Sequence, residues 1–226
     1  MRFNTNLSRY TPSDMQERLH NQERMRILRD LALLDRSKDT LYDRLTQLAS
    51  DVIAAPVSLV SMVAQDYQFF KSYTGLPEPW ASDRMTPLSH SFCQHVVASN
   101  EPLIVSDARE VDFLKDNQAI PDLDVIGYLG MPLTLPDGRR LGSFCVIDSE
   151  PREWTETEIE IVRGLAAIIV LEIDLQAAAN LDPSRQSKLD AARASIEKLL
   201  TAVDSEADQA TFLQQLQHAR EKFDLL

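Results

Sequence analysis

The chain has 226 residues, 44% of them hydrophobic and 26% charged, with a net charge of −12, six glycines and two cysteines. That length holds one sizeable core, or one domain with helical appendages. The acidic balance excludes a basic nucleic-acid face and disfavours an anionic membrane surface, both of which need clustered Lys and Arg.

Residues 1–13 are polar and read as a loose arm. Ser13 followed by Gln16 resembles a capping box, and a helix is expected over 14–35, with Ile27, Leu31 and Leu34 on one face. A second helix starts at Asp39 or Thr40; its stripe is Leu41, Leu45, Leu48 and Val52. Pro56 ends it, and the period changes to two. Val57–Val63 is a strand, Gln65-Asp66 a turn and Tyr67–Tyr73 its hairpin partner. From Gly75 to Pro87, three prolines and Trp80 indicate a long loop of the kind that often covers a site. Ser89 caps a short helix over 90–98. A strand is expected at Pro102–Val105, then an irregular polar stretch over 107–124. Val125–Leu135 and Leu141–Ile147 form a hairpin across Pro136-Asp137-Gly138.

Thr155 and Glu158 form a second capping box, opening a helix to about residue 178 with Ile159, Val162, Ala166, Ile169 and Ile173 in register. Residues 179–187, with Pro183, read as a linker. Over 188–226, stripes containing Leu189, Ala192 and Ile196, then Phe212 and Leu216, flank an acidic connector at 204–208. They suggest a helical hairpin or coiled coil that docks on the body or on another subunit. No apolar run is long enough to span a membrane, and Met1–Tyr10 lacks a signal-peptide core. Cys93 and Cys145 give no disulfide framework, which fits a reducing, cytoplasmic compartment.

Residues 36–178 therefore read as an α+β unit: an antiparallel sheet with the terminal helices on one face and the long loop and short helix on the other. A loop-covered sheet face is a usual place for a small-molecule pocket. Four stretches of this unit resemble the GAF domain family: PVSLVSMVAQDYQFFKSYTGLP at 56–77, TPLSHSFCQHVVASNEPLIVSDAR at 86–109, GYLGMPL at 127–133 and LGSFCVID at 141–148. Their order is similar to the bacterial subclass often fused to histidine kinases, diguanylate cyclases or PP2C-type phosphatases. The resemblance implies a pocket under residues 75–125 and a sensory, non-enzymatic role carried by the helices leading in and out. It leaves the ligand or cofactor unknown, because family members bind cyclic nucleotides, bilins, haem, small metabolites or nothing known.

Six residues are candidates for contacting a ligand: Trp80, Cys93, Asp107, Arg109, Tyr128 and Met131. Asp107 and Arg109 follow a strand and either hold a charged ligand group or form a salt bridge that orders the loop. Tyr128 and Met131 come from the strand beneath, as ligand contacts or as core. No metal site is expected. On a helix His90 and Cys93 share a face, but His95 lies about 160° round from Cys93, leaving two ligands where a structural zinc needs four. One histidine beside a pocket is weak support for haem. Where bilin-binding relatives carry a cysteine this chain has Pro121-Asp122-Leu123-Asp124, and the N-K-x-F-x-x-x-D-E pattern of cyclic-nucleotide-binding relatives of the phosphodiesterase type is missing. Cysteine catalysis of the methionine sulfoxide reductase kind needs an accessible thiolate. Cys145 sits in an apolar strand, and the residues around Cys93 do not match that pattern.

Two functions follow. One is a small-molecule or redox sensor whose ligand orders the loops and shifts the terminal helices. The other is a ligand-free module that homodimerises through those helices, at positions such as Leu31 and Ile173, or binds a partner. No Gly-rich phosphate loop, kinase ATP motif or cyclase motif occurs. The expected partner is therefore a kinase, cyclase or phosphatase, on another chain or on a longer form of this one.

Overall fold

A computed structural model describes residues 12–202 and 208–223. The arm up to residue 11 and most of the acidic connector, 203–207, lie outside the described residues.

Three helices precede the sheet: α1 (Pro12–Leu19), α2 (Gln22–Asp30) and α3 (Thr40–Ile53). The single helix expected over 14–35 is thus two. Asn21 breaks it, because its side chain accepts the Arg24 N–H at 2.9 Å and caps α2. The break carries the chain between layers. Leu19 is buried on one side of the sheet, and Ile27 and Leu28 on the other. Arg24 fills the corner, buried, donating to the carbonyls of Leu19 and Val63. Burial without a carboxylate partner lowers its pKa to about 10. Asp39 caps α3, accepting from the Leu41 N–H at 3.0 Å.

Strands β1 (Val57–Val63) and β2 (Tyr67–Thr74) form the expected hairpin. The proline-rich loop holds more structure than expected: a short helix α4 (Trp80–Asp83) and an edge strand β3 (Met85–Pro87) paired to β2. Helix α5 (Cys93–Ser99) starts later than expected. Ser91 rather than Ser89 takes its first orphan donor, the Gln94 N–H, at 3.0 Å. Strand β4 (Leu103–Val105), helix α6 (Ala119–Leu123) and the hairpin β5 (Gly127–Thr134) and β6 (Arg140–Asp148) complete one antiparallel sheet of six strands, ordered β3-β2-β1-β6-β5-β4.

On one face lie α3 and the long helix α7 (Glu156–Leu181). The Thr155–Glu158 capping box opens α7, with the Glu158 N–H donating to the Thr155 hydroxyl at 3.2 Å. Helices α8 (Gln186–Ala202) and α9 (Gln209–Phe223) lie against α7 and α3, so the tail docks on its own body. Leu216 of α9 sits over Gly164 of α7, where a Cβ would fall 2.2 Å from its Cδ2. The α8 contact contains a fully buried carboxylate, Glu172. It accepts from Arg193 Nε at 2.9 Å and from the Tyr42 hydroxyl, joining α7, α8 and α3. Leu31 and Ile173, the positions expected to face a second subunit, are buried in this same core at 5% and 0% exposure. Their stripes are used within the chain.

Candidate functional site

The other face carries a second, smaller core. Side chains alternate along a strand. Leu59, Ser61 and Val63 of β1 and Ser143, Cys145 and Ile147 of β6 therefore point away from α7, and α5 lies over them. Tyr128 joins them from β5, its ring lying over Gly130. A Cβ at 130 would come within 2.4 Å of the tyrosine oxygen, so glycine there makes the room. Phe92 and Cys93 at the start of α5 press down from above, with the Phe92 and Tyr128 rings 5.4 Å apart.

What remains between them is a cavity of about 30 Å³, bordered also by Leu76, Pro77, Leu123 and Val125 from the covering loops. Larger clefts of 540 and 630 Å³ open on the opposite side, along α7 and between α2 and the end of α7. They are open to solvent and lack the converging buried polar groups, so the small cavity is the candidate site.

Two of its lining residues, Cys93 and Tyr128, are buried and connect to a polar network behind the cavity wall. The Tyr128 hydroxyl lies 3.3 Å from Cys93 Sγ and 3.3 Å from Ser143 Oγ. Cys93 Sγ is 4.0 Å from Cys145 Sγ. Hydrogen bonding from Cys145, with further hydroxyls from Tyr128, Ser61 and Ser143, holds the Cys93 thiol below its ordinary value against the opposing effect of burial. Burial pushes Cys145 and Tyr128 well above their ordinary values. Beside them Gln68 is fixed at both ends: its carbonyl accepts from Ser91 at 2.7 Å and its amide donates to Thr86 at 2.7 Å. At the rim, His90 Nε2 meets Asp122 at 2.9 Å and its Nδ1 meets Ser89 at 3.0 Å. Burial drives the neighbouring His95, set against Phe113, down to about 4.

Of the six residues chosen from sequence, Cys93 and Tyr128 line this cavity. Trp80 stays one step outside, its ring 5.2 Å from that of His90. Asp107 and Arg109 are paired to each other at the surface: Arg109 donates from Nε at 2.8 Å and from Nη2 at 2.6 Å. That bidentate pair raises the arginine's pKa and lowers the aspartate's, and it leaves the pair no part in the cavity. Met131 faces α7, because it is an odd number of residues from Tyr128 on the same strand. Phe70, Phe92 and Gln68 line the cavity and were not singled out; the period-two pattern of β2 carried the signal for Phe70 and Gln68. Among the described residues no three His, Cys, Asp or Glu side chains converge as a metal set.

The GAF domain profile matches residues 37–173 of the chain. The chain belongs to the GAF domain family. A cyclic di-GMP phosphodiesterase of Pseudomonas aeruginosa is 29% identical over 145 residues, 63% of this chain and 24% of that protein. The chain thus spans about a quarter of its curated relative. The GAF domain of a phosphoenolpyruvate-protein phosphotransferase from Coxiella burnetii superposes with a TM-score of 0.52 at 17% identity, covering 71% of this chain and 96% of that one. The PixJ GAF domain of Thermosynechococcus elongatus gives 0.51 at 17% identity, covering 74% and 96%. These two likenesses establish the fold. The family is one of sensory and signalling modules, generally regulatory rather than catalytic, and the relative belongs to bacterial signalling.

Proposed function

We propose that the chain is a cytoplasmic, non-catalytic input domain. A small molecule entering the cavity under α5 shifts β5 and β6, and with them α7 and the docked helices α8 and α9, which a partner reads. One observation carries this reading. Tyr128 and Cys145 on the cavity side alternate with Leu129 and Phe144 on the α7 side of the same two strands, so one sheet thickness separates cavity from output helix. The partner is a kinase, phosphatase, cyclase or phosphodiesterase, and the Pseudomonas relative favours one acting on cyclic di-GMP. Native mass spectrometry with an absorption spectrum, on protein from its own cells, tests the proposal. A stoichiometric adduct that also slows amide exchange in α7–α9 supports it. A bare mass, with no thermal shift from nucleotides or metabolites, overturns it.

The small size of the cavity favours a second reading, a side-chain-filled module that acts by assembly. The α7 stripe is buried, so a homodimer would use the open cleft lined by Ala167, Leu171 and Leu213. Leu171→Glu would then abolish a dimer seen by sedimentation, and an unchanged sedimentation coefficient would sink this version.

A further inference from the structure

The two thiols are the only cysteines of the chain, and the fold brings them together from residues 52 apart in sequence. Their surroundings are unlike those of inert core cysteines. Cys93 Sγ faces Cys145 Sγ at 4.0 Å and the Tyr128 hydroxyl at 3.3 Å, with Ser143 next to that hydroxyl, at the edge of a cavity of about 30 Å³. By the same measure a water needs about 10–15 Å³, so one or two water-sized molecules fit.

We propose that Cys93 and Cys145 are a peroxide-oxidised dithiol, Cys93 the attacking thiolate and Cys145 the resolving thiol, closing into an intramolecular disulfide between α5 and β6. The proposal stands whether or not the cavity also holds a ligand. In the first step the Cys93 thiolate attacks one oxygen of hydrogen peroxide. An S–O bond forms, the O–O bond breaks, and the departing hydroxide takes the proton released by Cys93, giving water and a sulfenic acid. In the second, Cys145 sulfur attacks the Cys93 sulfur. The S–S bond forms, the S–O bond breaks, and hydroxide leaves with the Cys145 proton as water. Two thiols and one peroxide become one disulfide and two waters; the dithiol loses two electrons and the peroxide gains them. The hydroxyls of Tyr128 and Ser143 stand where they can donate to the thiolate and to the departing oxygen. The preference for Cys93 as attacker matches its lowered thiol pKa and the raised one of Cys145. Closing the bond takes a sulfur–sulfur approach of about 2 Å, from 4.0 Å to the length of a disulfide. It draws the start of α5 onto β6 and narrows the cavity.

Cavity size selects the oxidant. Hydrogen peroxide is of the order of the space available, whereas a glutathione disulfide cannot reach Cys93 Sγ without opening the covering loops.

The test uses the full chain, reduced and desalted, then given one equivalent of hydrogen peroxide. Thiols are counted after denaturation, and the intact mass is recorded. The expected result is joint loss of both thiols, a mass lower by about 2 Da, a peptide cross-linking 93 to 145, and reversal by dithiothreitol. In Cys145→Ser the reaction stops at a dimedone-trappable sulfenic acid on Cys93. In Cys93→Ser, Cys145 stays reduced over the same time. Oxidised glutathione reacts far more slowly than peroxide with the native protein. Two thiols still titratable after peroxide, or equal loss from both single variants through intermolecular dimers, overturns the dithiol. Equal rates with peroxide and glutathione disulfide overturn the size-selected access.

Discussion

On the face covered by α3 and α7, strands β1, β5 and β6 present Val60, Met62, Leu129, Phe144 and Val146 to an aliphatic interior. On the face covered by α5, the alternate residues of the same strands include Ser61, Tyr128, Ser143 and Cys145. The first interior is closed by two layers of helix, α3 and α7 and then α8 and α9, and its main buried charge, Glu172, is paired. The second retains a cavity, a polar network and two thiols under short helices and loops. Neighbouring residues along one backbone thus serve different ends. One face holds the sheet together, and the other gives up some packing to a polar network and a cavity, a local departure from an apolar core.

That contrast can be broken by experiment. The largest effect is expected from phenylalanine deletions. Phe144→Ala on the α7 side should cost about 3–5 kcal/mol by urea unfolding. Phe92→Ala should cost roughly half as much, because the void merges with an existing cavity and the covering loops can relax into it. Equal losses would mean that the two interiors are equally tight. Next comes the tail. Arg193→Ala strips Glu172 of its cation and should destabilise by about 2–3 kcal/mol, less than for a fully buried pair because the arginine is partly exposed. Amide exchange in α8 should rise first, while the cavity side keeps its protection.

Gly164→Ala sets two effects against each other. Helix propensity gains about 1 kcal/mol in α7, while the new methyl displaces Leu216. Net stability should hardly move while α9 exchanges faster; unchanged exchange would show that α9 tolerates the methyl.

Smaller still is the contribution of Asp35. Lys71, the extra residue of a bulge in β2, donates to it at 2.7 Å and holds its carboxyl at about 2, below the 3.8 of a free aspartate. A depressed carboxylate contributes stability that is complete above 3.8 and lost as pH falls toward 2. Asp35→Asn should therefore flatten the acid side of the stability profile in that window, read by fluorescence. Arg109→Ala, at the solvent-screened pair, should leave the urea midpoint and the thiols unchanged.

Much of this architecture was legible from residue order. A period-two run located β1, turn residues at 65–66 and 136–138 placed the hairpin partners β2, β5 and β6, and capping side chains at Asp39 and Thr155 located two of the main helices. The edge strand β3 was not legible, because three residues ending in a proline carry no periodicity. Residues 14–35 read as one helix because nearly every residue there favours helix; the break comes from tertiary demand, with Leu19 and Ile27 needing opposite sides of the sheet. The site was half legible. Cys93 and Tyr128 followed from their positions over the sheet. Met131 takes the core alternative given for it, and its parity with Tyr128 already pointed that way. Asp107 and Arg109 satisfy each other, the salt bridge that was one of the two readings of the pair. The filling of the cavity by Phe70, Phe92 and Tyr128 depends on how separate elements meet.

Residues 12–31 grip the sheet like a caliper. Arg18 of α1 donates to the Ala98 carbonyl at the end of α5, while Ile27 and Leu28 of α2 are held in the α7 layer. The jaws meet at His20-Asn21, beside the buried Arg24. Anything that draws α5 toward β6 must move one jaw and leave the other, so the thickness of the molecule is written into the bend at Asn21. A strain between the two faces would therefore gather at this bend, between two short helices, rather than within either of them.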